Sequence, residues 1–148
     1  MNRYAYDDIY IGQKESFSAI LTQEYVDCFR KYTQDINPLH NDDEFAKSKG
    51  YKQKVVFGML TASYYSTLAG VYLPGENSLI HSVEVKFLKP VYIKTNFREG
   101  REGYSTRLFI EGVVVDKNDT FKLITIKAVI NNEAGKKVSK AIIKAGII

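Results

Sequence analysis

The chain changes its hydrophobic period partway along. Residues 14–21, KESFSAIL, read as a first strand. Thr22 then stands as an N-cap before EYVDCFRKYT, where Tyr25, Cys28, Phe29 and Tyr32 fall together at helical spacing. DINPLHN interrupts that helix, and a short helix over DDEFAKSK is expected to end at Gly50. Residues 58–73, GMLTASYYSTLAGVYL, are apolar or small around most of a helical circumference, through Met59, Leu60, Ala62, Leu68, Ala69 and Leu73. A helix of that kind is normally buried. Pro74-Gly75 ends it.

Beyond it the period is two. Val83, Val85 and Phe87 alternate with Ser82, Glu84 and Lys86, and further strands are expected over 91–99, 104–115, 121–131 and 137–147. Turn residues separate them: Gly100 and Gly103, DKND at 116–119, and NNEAG at 131–135. RLFIEGVVV is apolar on both faces, which suits a central strand. One strand, then helices, then a run of strands predicts an α+β domain with a largely antiparallel sheet packed around one buried helix.

The totals fit that picture. A chain of 148 residues is one domain in length, and 45% hydrophobic residues supply a core. The net charge is +4, with basic and acidic residues mixed throughout, which argues for a solvated surface and against a nucleic-acid face. The one cysteine, Cys28, cannot form an intrachain disulfide. It fits a reducing compartment and reads as a small packed hydrophobe. No CxxC or Cys/His cluster points to a metal. MNRYAYDDIYIG carries acids where a signal peptide needs an apolar core, and the apolar runs fall short of the ~20 residues that cross a bilayer. A cytoplasmic protein without a membrane segment is expected.

Candidate chemistry centres on DINPLH. The chain has two histidines, His40 and His81. His81 begins a strand without a partner in sequence and reads as a surface or edge residue. Asp35 and His40 would lie on different faces of a continuous helix. Pro38 lacks an N–H and pushes Asn37 towards extended backbone, so the segment leaves the helix and an irregular loop can fold the two side chains together. A carboxylate beside an imidazole is a standard pair for moving protons near neutral pH. Asp, Asn and Pro are also turn formers, so the same residues describe a capped turn with no chemistry.

The surroundings of the motif add a resemblance. YTQDINPLHNDDEFAKSKGYKQKVVFGMLTASYYS, residues 32–66, resembles the signature of the MaoC-like dehydratases, the (R)-specific enoyl-CoA hydratases. Asp35, Asn37, Pro38, Leu39 and His40 match its first part, Phe45 and Ala46 its short helix, and Gly58, Met59 and Leu60 the opening of its buried helix. A weaker similarity runs through LPGENS and FLKPV. Phe57 departs from the pattern, standing where the family usually has histidine.

The resemblance implies the hot-dog fold, a curled antiparallel sheet around a long central helix, over one domain of residues 1–148. It implies interconversion of a trans-2-enoyl thioester and an (R)-3-hydroxyacyl thioester, on coenzyme A or acyl carrier protein, without metal or redox cofactor. Asp35 and His40 would carry the proton work. Backbone N–H groups at Gly58 would hold the thioester oxygen, helped by Asn37 orienting the loop and by Ser66 on the central helix. Phe57 and Met59 would line the pocket. Lys86, Lys89, Lys94, Arg98 and Arg101 are candidates to meet coenzyme A phosphates or an acidic carrier. A homodimer, or a dimer of dimers, is expected. A hot-dog acyl-thioesterase and a non-catalytic acyl-thioester-binding protein marked by Phe57 are the alternatives.

Overall fold

In the computed structural model, residues 1–98 and 101–148 are described, the side chains of 96–98, 101 and 102 excepted. Strand β1 (Lys14–Thr22) runs into helix α1 (Gln23–Thr33) at Thr22, whose hydroxyl accepts the Tyr25 N–H. That bond satisfies one of the orphan donors of the first turn. Two short helices follow, α2 (Pro38–Asn41) and α3 (Asp43–Ser48). The chain then enters a helical run of three pieces: α4 (Gly58–Ala62), α5 (Tyr64–Thr67) and a π-helical turn over Leu68–Tyr72. Strands β2 (Ser78–Phe87), β3 (Lys94–Arg98), β4 (Arg101–Asn118), β5 (Leu123–Asn132) and β6 (Lys137–Ile147) complete the domain.

The sheet is antiparallel throughout, ordered β1-β4-β5-β6-β2, with β3 beside the start of β4. RLFIEGVVV lies in β4, which pairs with β1 on one side and β5 on the other. This is the central placement that its two-sided apolar pattern predicts. Leu108, Ile110 and Val114 of β4, Ile124, Ile126 and Ile130 of β5, and Ile143 of β6 are buried in one core with Tyr65, Leu68 and Ala69 of the helical run. Gly112 permits the closest approach: a Cβ there would sit 2.7 Å from Leu68 Cδ2 and 3.0 Å from Ile126 Cγ2. The Tyr65 hydroxyl and Ser139 Oγ, 2.8 Å apart, tie helix to sheet inside this core. Burial pushes that phenol up to about 12, against a smaller opposing effect of the Ser139 hydrogen bond.

Several expectations need correction. The helical run spans the expected residues, but it buries one face only: Thr61, Ala62, Tyr65, Leu68 and Ala69 are buried while Met59, Ser63 and Ser66 are exposed. The sheet covers a single side of it. Cys28 is exposed rather than packed. The α1 stripe of Tyr25, Cys28, Phe29 and Tyr32 faces an open groove shared with Ala19, Ile20, Leu60, Ser63 and Tyr64, and Val26 is the buried residue of α1. The turn expected at 116–119 lies later, because after a bulge at Val114/Asp116 the β4–β5 ladder continues through Asn118↔Leu123. The Lys117 ammonium also holds the backbone carbonyls of Tyr6 and Ile9. The turn at Gly100 lies outside the described residues. Among the described residues no helix is long and apolar enough to cross a membrane.

Candidate active site

The DINPLH segment is built by its own polar side chains. Gln34 ends α1 in the left-handed region at φ 57°. Asp35 Oδ1 accepts the Asn37 N–H at 3.0 Å, an Asx turn. Asn37 Oδ1 accepts the Leu39 N–H at 2.9 Å and caps α2, with Pro38 at the first helical position, where its missing N–H is not needed. The Asn41 amide donates to the carbonyls of Asn37 (2.8 Å) and Asp35 (3.3 Å) and closes the loop on itself. So the segment is a capped turn. The same turn also aims two side chains.

Asp35 and His40 line one cleft of about 560 Å³, together with Phe29, Thr33, Phe57, Gly58, Met59 and Phe87. The imidazole is held on two sides. Its Nδ1 lies 2.7 Å from the carbonyl oxygen of Val55. A carbonyl only accepts, so Nδ1 carries the proton, and Nε2 of the neutral ring is the acceptor. The ring also lies 4.4 Å, centroid to centroid, from Phe57, which in turn meets Phe29 at 5.2 Å. No hydrogen bond joins Asp35 to His40 directly. Among the described residues, neither Asp35 Oδ2 nor His40 Nε2 has a hydrogen-bond partner. Both atoms are available to a bound molecule.

Phe57 has a clear place. It is 2% exposed, precedes α4 as its N-cap residue, and supports the imidazole from beneath. Histidine's usual position is here taken by a packing residue that leaves the cleft open. Gly58 follows as the first residue of α4, where backbone N–H groups have no intrahelical acceptor. A Cβ on Gly58 would lie 3.0 to 3.3 Å from three carbons of the Phe87 ring. Met59 stands on the rim, 64% exposed. The structure therefore brings Asp35, His40, Phe57, Gly58 and Met59 together. Asn37 and Ser66 are not in the cleft lining: Asn37 caps the turn, and Ser66 is exposed further along the helical run.

The cationic candidates scatter. Lys89 lines a second cleft beside the first, with Tyr51, Leu88 and Pro90. Lys86 is exposed, 3.8 Å from Glu84. Lys94 pairs with Glu133 and, by that hydrogen bond, holds the carboxyl below its usual range. The side chains of Arg98 and Arg101 lie outside the described residues. His81 is exposed on edge strand β2, at a register shift.

Sequence reasoning did not single out the Val55 carbonyl, Phe29 or Phe87 as site residues. Phe87 carried a signal: it ends the apolar face of β2. The other two reach the site through tertiary packing.

A curled antiparallel sheet against one helical run, with a cleft at the start of that run, defines the class as a hot-dog domain. The chain belongs to the MaoC like domain family, which matches residues 10–135. It is 33% identical over 113 residues to the (R)-specific enoyl-CoA hydratase of Aeromonas caviae, an alignment covering 69% of this chain and 84% of that protein. The mitochondrial 3-hydroxyacyl-[acyl-carrier-protein] dehydratase of Arabidopsis thaliana is 31% identical over 83 residues, covering 56% of this chain and 49% of that one. The solved structure of the A. caviae (R)-hydratase superposes with a TM-score of 0.80 at 25% identity, over 95% of this chain and 98% of that one. The relatives so named are carbon–oxygen lyases, and the chain is an enzyme of that hydratase/dehydratase class.

Proposed function

We propose that this protein adds water to a trans-2-enoyl thioester to give an (R)-3-hydroxyacyl thioester, or removes it. The carrier is coenzyme A or acyl carrier protein. One observation carries the reading: Asp35, His40 and Gly58 converge on one apolar cleft, although the glycine is separated from the loop in sequence. In the hydration direction, neutral His40 accepts at Nε2 the proton of a water that Asp35 orients. The hydroxyl adds to C3, and the proton taken up by His40 is returned to C2, so that one water is added and the imidazole is neutral again. Negative charge that builds on the thioester oxygen meets the backbone N–H groups at Gly58, aligned with the positive end of the helical run. Phe57 packs against the imidazole and limits its rotation, and this supporting role favours catalysis over a binding-only protein. With Cys28 unpaired, the setting we propose is cytoplasmic.

The reading is tested on the product. Incubation with a trans-2-enoyl-CoA and chiral separation of the thioesters is expected to give the (R)-3-hydroxyacyl-CoA. The (S) product, or free acid with free coenzyme A, would contradict it.

The working unit we propose is a dimer or an assembly of dimers. Among the described residues, strand β2 ends the sheet with one edge unpaired, and its Leu79 and Val83 are 50% and 41% exposed. An open edge with apolar side chains invites a second strand. The groove before the α1 stripe is open in the same way. Analytical ultracentrifugation at micromolar concentration is expected to give twice the monomer mass or a multiple of it. A single monomeric species would overturn the assembly.

A further inference from the structure

Two clefts meet at the proposed reaction centre. The first, of about 560 Å³, holds Asp35. The second, of about 310 Å³, runs between the start of the helical run and the β2–β3 connection. Three residues belong to both linings: His40, Gly58 and Phe87. Gly58 has no side chain and His40 is fixed by Val55 and Phe57. The Phe87 ring is therefore the movable part of the shared wall. It lies on Gly58, close enough that a Cβ there would meet the ring at 3.0 Å.

The second cleft is suited to hydrocarbon at depth. Val56, Val91 and Val138 are 4%, 8% and 2% exposed, and Leu39 and Val55 are partly buried beside them. The first cleft has one buried residue in its lining, Phe57. C2 and C3 of the substrate must lie by Asp35 and His40, with C1 at Gly58. A short acyl chain ends within the first cleft. Each further methylene is stabilised by leaving water, and the contiguous space with buried apolar walls lies past the Phe87 ring.

We infer that Phe87 is the chain-length gate of this enzyme: its ring, lying on Gly58, closes the second cleft to the acyl chain and restricts turnover to short enoyl thioesters. The inference rests on the function proposed above. Phe87 is 51% exposed, so truncating it removes little of the core.

The experiment has two readouts. The first is kcat/KM for crotonyl-, trans-2-hexenoyl- and trans-2-octenoyl-CoA on wild type, Phe87→Ala and Phe87→Tyr. Wild type is expected to favour crotonyl-CoA. Phe87→Ala is expected to raise the octenoyl-to-crotonyl ratio at least ~10-fold, since each admitted methylene strengthens binding about fourfold, the equivalent of about 0.8 kcal/mol per CH2. Phe87→Tyr, which keeps the ring, is expected to leave the ratio within about twofold of wild type. A ratio unchanged in Phe87→Ala, or an equal loss at all lengths, overturns the gate. The second readout is calorimetric binding of butyryl- and octanoyl-CoA, which needs no turnover. If no enoyl thioester is hydrated, the proposed function fails. A shift of binding preference towards octanoyl-CoA in Phe87→Ala still supports the gate, and an unshifted preference removes it.

Discussion

Asp35→Asn is expected to lower kcat for enoyl-thioester hydration by roughly 10²- to 10⁴-fold, the range for loss of a positioned general acid or base. It should do so with almost no change in melting temperature. The structure explains the asymmetry: Asp35 Oδ1 accepts the Asn37 N–H, and an asparagine carbonyl can accept the same bond. His40→Ala should lose activity over the same range but is not silent in stability. It deletes the ring packed at a tilt against Phe57 and leaves the Val55 carbonyl without its 2.7 Å partner, a cost of about 1–3 kcal/mol. The double variant should fall far short of the product of the two losses, because both residues serve one proton path. Steady-state hydration rates and thermal melts on the three proteins check this. Normal rates with lowered melting temperatures would leave DINPLH as a turn and nothing more.

Gly58→Val is expected to cost about 10²-fold in kcat, comparable to losing one oxyanion donor, with a small effect on folding. The new side chain stands where the thioester oxygen must approach the backbone. It also presses on Phe87, 3.0 Å from the position of the added Cβ, so two causes of a rate loss must be separated. Gly58→Val combined with Phe87→Ala does so. If the loss persists when the ring is gone, access to the backbone is the cause. A rate restored to within a few-fold of Phe87→Ala alone would assign the loss to the displaced ring and remove the oxyanion role from Gly58.

Local chemistry was legible in the sequence because it is local. Thr22 caps α1 through a residue three positions away, and Asp35, Asn37 and Asn41 build their turn among themselves. The two-sided apolar run in β4 gave its central place, whereas the alternating residues Val83 and Phe87 of β2 are exposed. What could not be read was set by distant partners. The His40 tautomer depends on Val55, across the 42–54 segment, and the wall over Gly58 depends on where the β2–β6 register delivers Phe87. The exposure of Cys28 has a related reason. Periodicity shows how apolar a helix is, but the number of sheets that cover it belongs to the fold. Cys28 lies on the face of α1 that lines the open groove, so it is exposed.

The most direct test compares wild type and Asp35→Asn in one assay that records enoyl-thioester absorbance and free thiol together. The account predicts that wild type bleaches the absorbance without releasing thiol, and that Asp35→Asn at equal folded concentration bleaches it at least ~10²-fold more slowly. Release of thiol by wild type, or equal bleaching by the two proteins, would contradict it.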